Sequence, residues 1–281
     1  MKLLAAILLV TAMLSGCASR VEDAQPPAAY IPENPAVTQP APPTFRPQPA
    51  PPMLVIAPGD TLVTIARSLE ALGVVTAEEF IAAAQDGDFS EIMHIPDDPQ
   101  RFFALEGYLF PGQYMVHAHE SADEILRRIL TATERELSAI LGGGSADERS
   151  VPWDLALTLA SIVQAESLGN DEAKPLVSAV IRTRMAQGMM LQMCMTSFYV
   201  RDYIAPFYDG DPARWHELYN TYHFHGLPAG PICNPGHAAI AAALNPAQTA
   251  YLFYIWDNDG NFHFAVTYAE HRANVARYLG S

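Results

Sequence analysis

Between Pro26 and Pro52 the chain carries 11 of its 23 prolines, and this limits where a fold can begin. Proline lacks a backbone N–H and locks φ, so a stretch this rich can neither propagate a helix nor sit inside a sheet. With almost no branched aliphatics and no helical periodicity, residues 17–52 read as an extended linker of polyproline II character. A flexible linker with no length requirement is the plainer reading. The folded body should then start at Met53. Half of the residues are hydrophobic and only 17% are charged, so that body can bury a substantial core.

The segment before the linker has its own logic. Lys2 gives a positive start, Leu3 to Leu14 form a short apolar run, and Ser15 and Gly16 precede Cys17. A spanning helix needs roughly 20 apolar residues, so residues 1–16 read as an export signal, with a membrane span as the weaker alternative. Leu14-Ser15-Gly16-Cys17 resembles a bacterial lipobox. That implies cleavage before Cys17 and acylation there, which would hold the protein to a bacterial membrane facing the periplasm or cell wall.

Acidic residues outnumber basic ones 31 to 16, and Lys2 and Lys174 are the only lysines. With no basic surface to neutralise a run of phosphates, nucleic acid is not an expected partner. If Cys17 is acylated, Cys194 and Cys233 remain, an even pair in an exported chain. A disulfide is the expectation, and two buried thiols are the alternative.

Within the body, Leu54-Val55-Ile56 reads as a strand and Pro58-Gly59 as a turn, with Asp60 or Thr61 capping a helix whose apolar positions are Leu62, Ile65, Ala66 and Leu69. This opening resembles a LysM module, a small glycan-binding unit. A second helix spans Ala77 to Gln85, and Leu105 to Tyr114 reads as a strand and turn acting as a hinge. Residues 53–115 are thus expected as a LysM-like subdomain, and 116–281 as a mixed second domain. Its helices are Ala122 to Leu141, closed by Gly142-Gly143-Gly144; one capped by Ser150 with Pro152 in its first turn; and one from Pro175 to Gly188. Loop-forming residues dominate from Asp209 to Gly236. Strands Tyr251 to Trp256 and Phe262 to Val266 precede a helix from Tyr268, with Thr267 and Glu270 spaced as a capping box. Separate helices with a hairpin argue α+β.

Leu155, Leu159, Ile162 and Glu166 fall on one helix face. A carboxyl continuing an apolar stripe could border a cleft where desolvation favours the neutral acid, and a solvated final-turn glutamate is the alternative. The loops around Tyr219 to Tyr222 and Pro231 to Gly236 mix aromatic and hydrogen-bonding side chains, as sugar sites do. His223, His225, His263 and His271 raise a metal site, but no His-Glu-x-x-His spacing accompanies them, and there is no Gly-x-Ser-x-Gly elbow.

Taken in order, Glu106-Gly107-Tyr108-Leu109-Phe110-Pro111, Ala160 to Glu166, Gly188-Met189-Met190-Leu191-Gln192, Tyr219-Asn220-Thr221-Tyr222, Gly226-Leu227-Pro228, Pro231 to Gly236, Ala241 to Pro246 and Ala269-Glu270-His271 resemble the YceG-like family of endolytic murein transglycosylases, from about Met53 to Arg277. The resemblance implies that Glu166 is catalytic, standing at the second of two positions often glutamate, with Gln164 at the first. It implies that Arg184, Gln192, Tyr219, Asn220 and Thr221 surround the glycan cleft, and Glu106 and Asn234, inside matched motifs, join that set. The chain departs from the family at Met193-Cys194-Met195, at His223 where arginine is frequent, and in having a lipobox instead of a membrane helix.

The chemistry so implied is cleavage of the β-1,4 bond between N-acetylmuramic acid and N-acetylglucosamine without water, leaving a 1,6-anhydro end. Glu166 would act first as acid and then as base, where ordinary glycosidases need two carboxylates. No cofactor or metal is required, and the partners would be peptidoglycan strands and cell-wall synthases. The alternative is a lipid-tethered protein that binds peptidoglycan without cutting it.

Overall fold

The computed structural model describes residues 50–140 and 153–280. The export signal, Cys17, the linker, the Gly142-Gly143-Gly144 loop and the Ser150 and Pro152 helix start lie outside the described residues.

Strand β1 (Met53–Ile56) pairs antiparallel with β2 (Gly112–Met115), Met53 opposite Met115 and Ile56 opposite Gly112. Between them run α1 (Leu62–Ala71) and α2 (Ala77–Asp86). Thr61 caps α1 in a reciprocal box with Thr64, and Thr76 caps α2 with Glu79. Each cap satisfies backbone N–H groups that a helix start leaves unpaired. Leu62, Ile65, Ala66 and Leu69 are buried, as their spacing requires.

The segment expected as a hinge is a buried strut. Leu109 N–H donates to Asn234 Oδ1 at 2.8 Å, Phe110 N–H to Thr133 Oγ1 at 3.1 Å, and strand geometry begins only at Gly112. Gly107 has φ +86°, and a Cβ there would lie 2.4 Å from Pro231 Cβ, so only glycine fits.

Helix α3 (Ala122–Ile140) buries Ile125, Leu126, Ile129, Leu130 and Leu137. Helix α4 (Trp153–Glu166) is the central element, packed by α5 (Lys174–Ala186), α6 (Cys194–Tyr199) and α8 (His237–Leu244). It is covered on nearly every side, whereas Leu155, expected in a single buried stripe, is 54% exposed. Arg101 and Tyr108 both hold Asp154 in its first turn.

After α6 the chain passes through a π turn (Val200–Ile204) and a 3₁₀ turn (Ala205–Phe207) to α7 (Ala213–Tyr219). Helix α7 lies inside the stretch from Asp209 to Gly236 where loop-forming residues dominate. The hairpin β3 (Phe253–Trp256) and β4 (Phe262–Ala265) then leads to α9 (Tyr268–Tyr278), whose Thr267–Glu270 capping box is formed. The architecture is α+β, helices with two separate two-stranded sheets among the described residues. One apolar cluster runs continuously from Leu54 to Ala243.

Candidate active site

Glu166 is the last residue of α4, and Leu168 and Gly169 turn the chain away through positive φ. Because α4 is buried on nearly all sides, its C-terminal turn is carried inward and Glu166 is only 1% exposed. Its Oε1 accepts Met195 N–H at 3.0 Å and faces Cys194 Sγ at 3.8 Å, while Oε2 accepts Tyr254 O–H at 2.8 Å. Burial pushes the carboxyl above the ordinary range, and the three hydrogen bonds pull the other way.

The carboxyl lies at the floor of a cleft of about 750 Å³. Arg184, Gln192, Cys194, Tyr222, Tyr254 and Trp256 are among its walls. Asp257 and Asn258 from the hairpin tip, with His271 from α9, complete the rim. Asp257 is committed to the turn: it accepts from His263, from Asn261 and from the Asp259 N–H, and these bonds hold its carboxyl down to about 2. A group so acidic stays ionised and carries no proton to give.

Arg184 reaches this cleft from α5 as a clamp. Its Nε donates to Leu252 O at 2.7 Å and its Nη1 to Leu191 O at 2.6 Å, and its guanidinium lies over the Phe253 ring. Gln192 holds φ +51°, with its N–H on Thr221 O at 3.0 Å.

Five other residues expected at the glycan do not line this cleft. Thr221 is buried, its Oγ1 accepting Met193 N–H at 2.9 Å. Tyr219 is buried against Tyr199, and Asn220 Oδ1 accepts Tyr222 N–H. Asn234 is fully buried and bonds Leu109 N–H, Asp60 O and Glu106 Oε1. Glu106 accepts Leu62 N–H at 3.1 Å and Tyr199 O–H at 3.1 Å, and burial raises its carboxyl to about 8. These polar groups satisfy buried backbone where loops meet helices. Gln164 does likewise, its Oε1 accepting Gly236 N–H.

The expected disulfide is absent. Cys194 and Cys233 are free thiols. Cys194 Sγ points to Glu166 and Cys233 Sγ to Ser161 O. Those anchors are five residues apart on α4, about 7.5 Å along its axis. The histidines also diverge: His263 sits on Asp257, His223 on Glu217, and His271 on the Phe253 ring.

Tyr254 and Trp256 in the cleft, and the Met195 N–H on Glu166, are groups that sequence reasoning missed. The available signal was the alternation of Tyr254 and Trp256, which puts both on one face of a strand.

Comparison with known proteins is consistent with this geometry. The YceG-like family pattern matches residues 43–277. The chain belongs to the YceG-like family. It is 27% identical over 250 residues to an endolytic murein transglycosylase of Streptococcus pneumoniae (strain ATCC BAA-255 / R6), covering 81% of this chain and 45% of that one. A Bacillus subtilis (strain 168) protein of the same description is 30% identical over 183 residues, covering 63% and 49%. The chain therefore spans about half the length of these curated relatives. A crystal structure of a YceG-like protein from Listeria monocytogenes superposes with a TM-score of 0.66 at 26% identity, covering 80% of this chain and 76% of that one.

Proposed function

We propose that this chain is an endolytic lytic transglycosylase of peptidoglycan. In this reading it cleaves the β-1,4 bond between N-acetylmuramic acid and N-acetylglucosamine and leaves a 1,6-anhydromuramyl end, with Glu166 as sole acid and base. The observation that carries it is Glu166 itself, a buried carboxyl at the floor of a cleft whose other carboxyl, Asp257, is locked in a turn.

Desolvation favours the neutral form of Glu166, the state needed to pass a proton to the departing glycosidic oxygen. The carboxylate so formed is met by Met195 N–H and Tyr254 O–H, which stabilise charge as it develops. It then takes the proton of the muramyl C6 hydroxyl as that oxygen attacks the anomeric carbon. The nucleophile belongs to the substrate, so it acts at high effective concentration and no second carboxylate is needed.

Cys17 would carry the lipid that places this body at a membrane facing the wall, with cell-wall synthases as neighbours. Residues 53–115, where β1 closes on β2 around α1 and α2, support a LysM-like glycan-holding unit. That unit also supports the alternative of a protein that binds without cutting.

Glu166→Gln separates the two. Counting anhydromuramyl ends by mass spectrometry on purified sacculi, turnover should fall roughly 10² to 10⁴-fold, while sedimentation with sacculi persists. Undiminished product release from Glu166→Gln would remove the assignment, and a parent protein that releases no anhydro ends would leave the binding reading.

A further inference from the structure

Two groups fix the Glu166 carboxyl besides the Cys194 thiol, and they differ in kind. Met195 N–H can only donate, so Oε1 remains an acceptor in every protonation state. The exchangeable proton therefore belongs on Oε2, the oxygen facing Tyr254. The Tyr254 hydroxyl is 2.8 Å from Oε2 and also 3.2 Å from Met193 Sδ. A hydroxyl has one proton and rotates to suit its partners.

We propose that Tyr254 is a positioning residue whose hydroxyl donates to Glu166 Oε2 when the carboxyl is ionised and turns to Met193 Sδ when Oε2 holds the proton. The inference rests on the reading of Glu166 as acid and base. In the acid state the phenol no longer opposes the proton on Oε2. As that proton moves to the leaving oxygen, the phenol swings back and meets the forming charge. When Oε2 receives the C6 hydroxyl proton, the phenol returns to the sulfur, and the cycle closes with no net proton on either side chain.

The ring holds its place without the hydroxyl. It is packed in the hairpin by Trp256, Phe262 and Phe264, with centroids 6.4, 5.9 and 5.8 Å away. Burial pushes the phenol well above its ordinary range, so Tyr254 does not ionise in step with Glu166. The other groups facing this carboxyl are few. Cys194 on α6 is a thiol pushed up to about 11, and Tyr222 and Arg184 stand further along the cleft wall. Helix α8, packed on α4, has His237 as its one titratable residue, and that ring packs on Phe110.

The test compares Tyr254→Phe, Met193→Leu and Glu166→Gln in the full chain, on soluble uncrosslinked glycan strands, counting anhydromuramyl ends from pH 5 to 9. Losing the donor favours the neutral acid, so Tyr254→Phe should move the basic limb of activity up by about one pH unit. It should also lower kcat about tenfold with KM within twofold. Met193→Leu removes the resting place of the hydroxyl and should move the limb down. A Tyr254→Phe profile that superposes on the parent, or a change confined to KM, overturns the proposal. If Tyr254→Phe fails to fold, Met193→Leu decides: a downward shift supports the proposal and an unmoved limb overturns it. Activity in Glu166→Gln would instead refute the underlying assignment of the acid.

Discussion

Glu106 and Glu166 are both 1% exposed, and burial raises both carboxyls. What separates them is the partner set. Every bond to Glu106 comes from the protein: Leu62 N–H, Tyr199 O–H and Asn234 Nδ2. Glu166 opens on a cleft. The family resemblance singled out Glu166 as catalytic but left Glu106 at the glycan, because a polar side chain inside a recurrent motif serves equally to bind a ligand or to satisfy buried backbone. Glu106 should instead declare itself through stability. Its carboxyl is held at about 8, above the ordinary value of 4.5, so the fold binds a proton that the unfolded chain has released between those values. The stabilisation is complete below about pH 4.5 and is lost as pH rises through 8. The parent's thermal midpoint should fall between pH 5 and 8.5, and Glu106→Gln should flatten that fall by on the order of 5 °C while keeping measurable turnover. Parallel pH curves for parent and variant would contradict the buried-proton account of Glu106.

Elements were legible in proportion to how local their causes are. Helices α1, α2, α3 and α9 carry apolar spacing or capping boxes in contiguous sequence, and they fall within a residue or two of expectation. Helix α7 begins after Pro212 without a side-chain cap, within a stretch dense in turn formers, so nothing local announced it. Helix α8 is mostly alanine and buried on the α4 side, and its amphipathic signal is weak for that reason. The cleft depends on contacts 29 and 88 residues apart, Met195 to Glu166 and Tyr254 to Glu166, which no spacing argument reaches. The strut at Glu106 to Phe110 is the clearest case of a long-range cause, since Pro231 lies against Gly107 in addition to the positive φ that glycine allows there. Gly107→Ala adds both a positive-φ penalty and an overlap, and should destabilise by about 2–4 kcal/mol. Urea unfolding should register this as a lower midpoint at unchanged slope; a midpoint equal to the parent's would mean the strut yields freely.

On the scale of the whole molecule, the question is whether anchoring and catalysis are separable. All the cleft residues, from Glu166 to Leu279, come from within the folded body, and no helix among the described residues is long and apolar enough to cross a membrane. In the proposed reading, membrane attachment is through an acylated Cys17, which lies outside the described residues. An anchor at Cys17 would change which strands the cleft meets and leave its chemistry alone. Cys17→Ala should abolish the lipid mass shift and leave an unprocessed precursor, while turnover per molecule on soluble strands stays within about twofold of the parent because Glu166 and its partners are untouched. Processing at the same bond in Cys17→Ala would refute the lipobox. Loss of soluble turnover in that variant would mean the N-terminal segment contributes to the site, contrary to the separation argued from where the cleft residues lie.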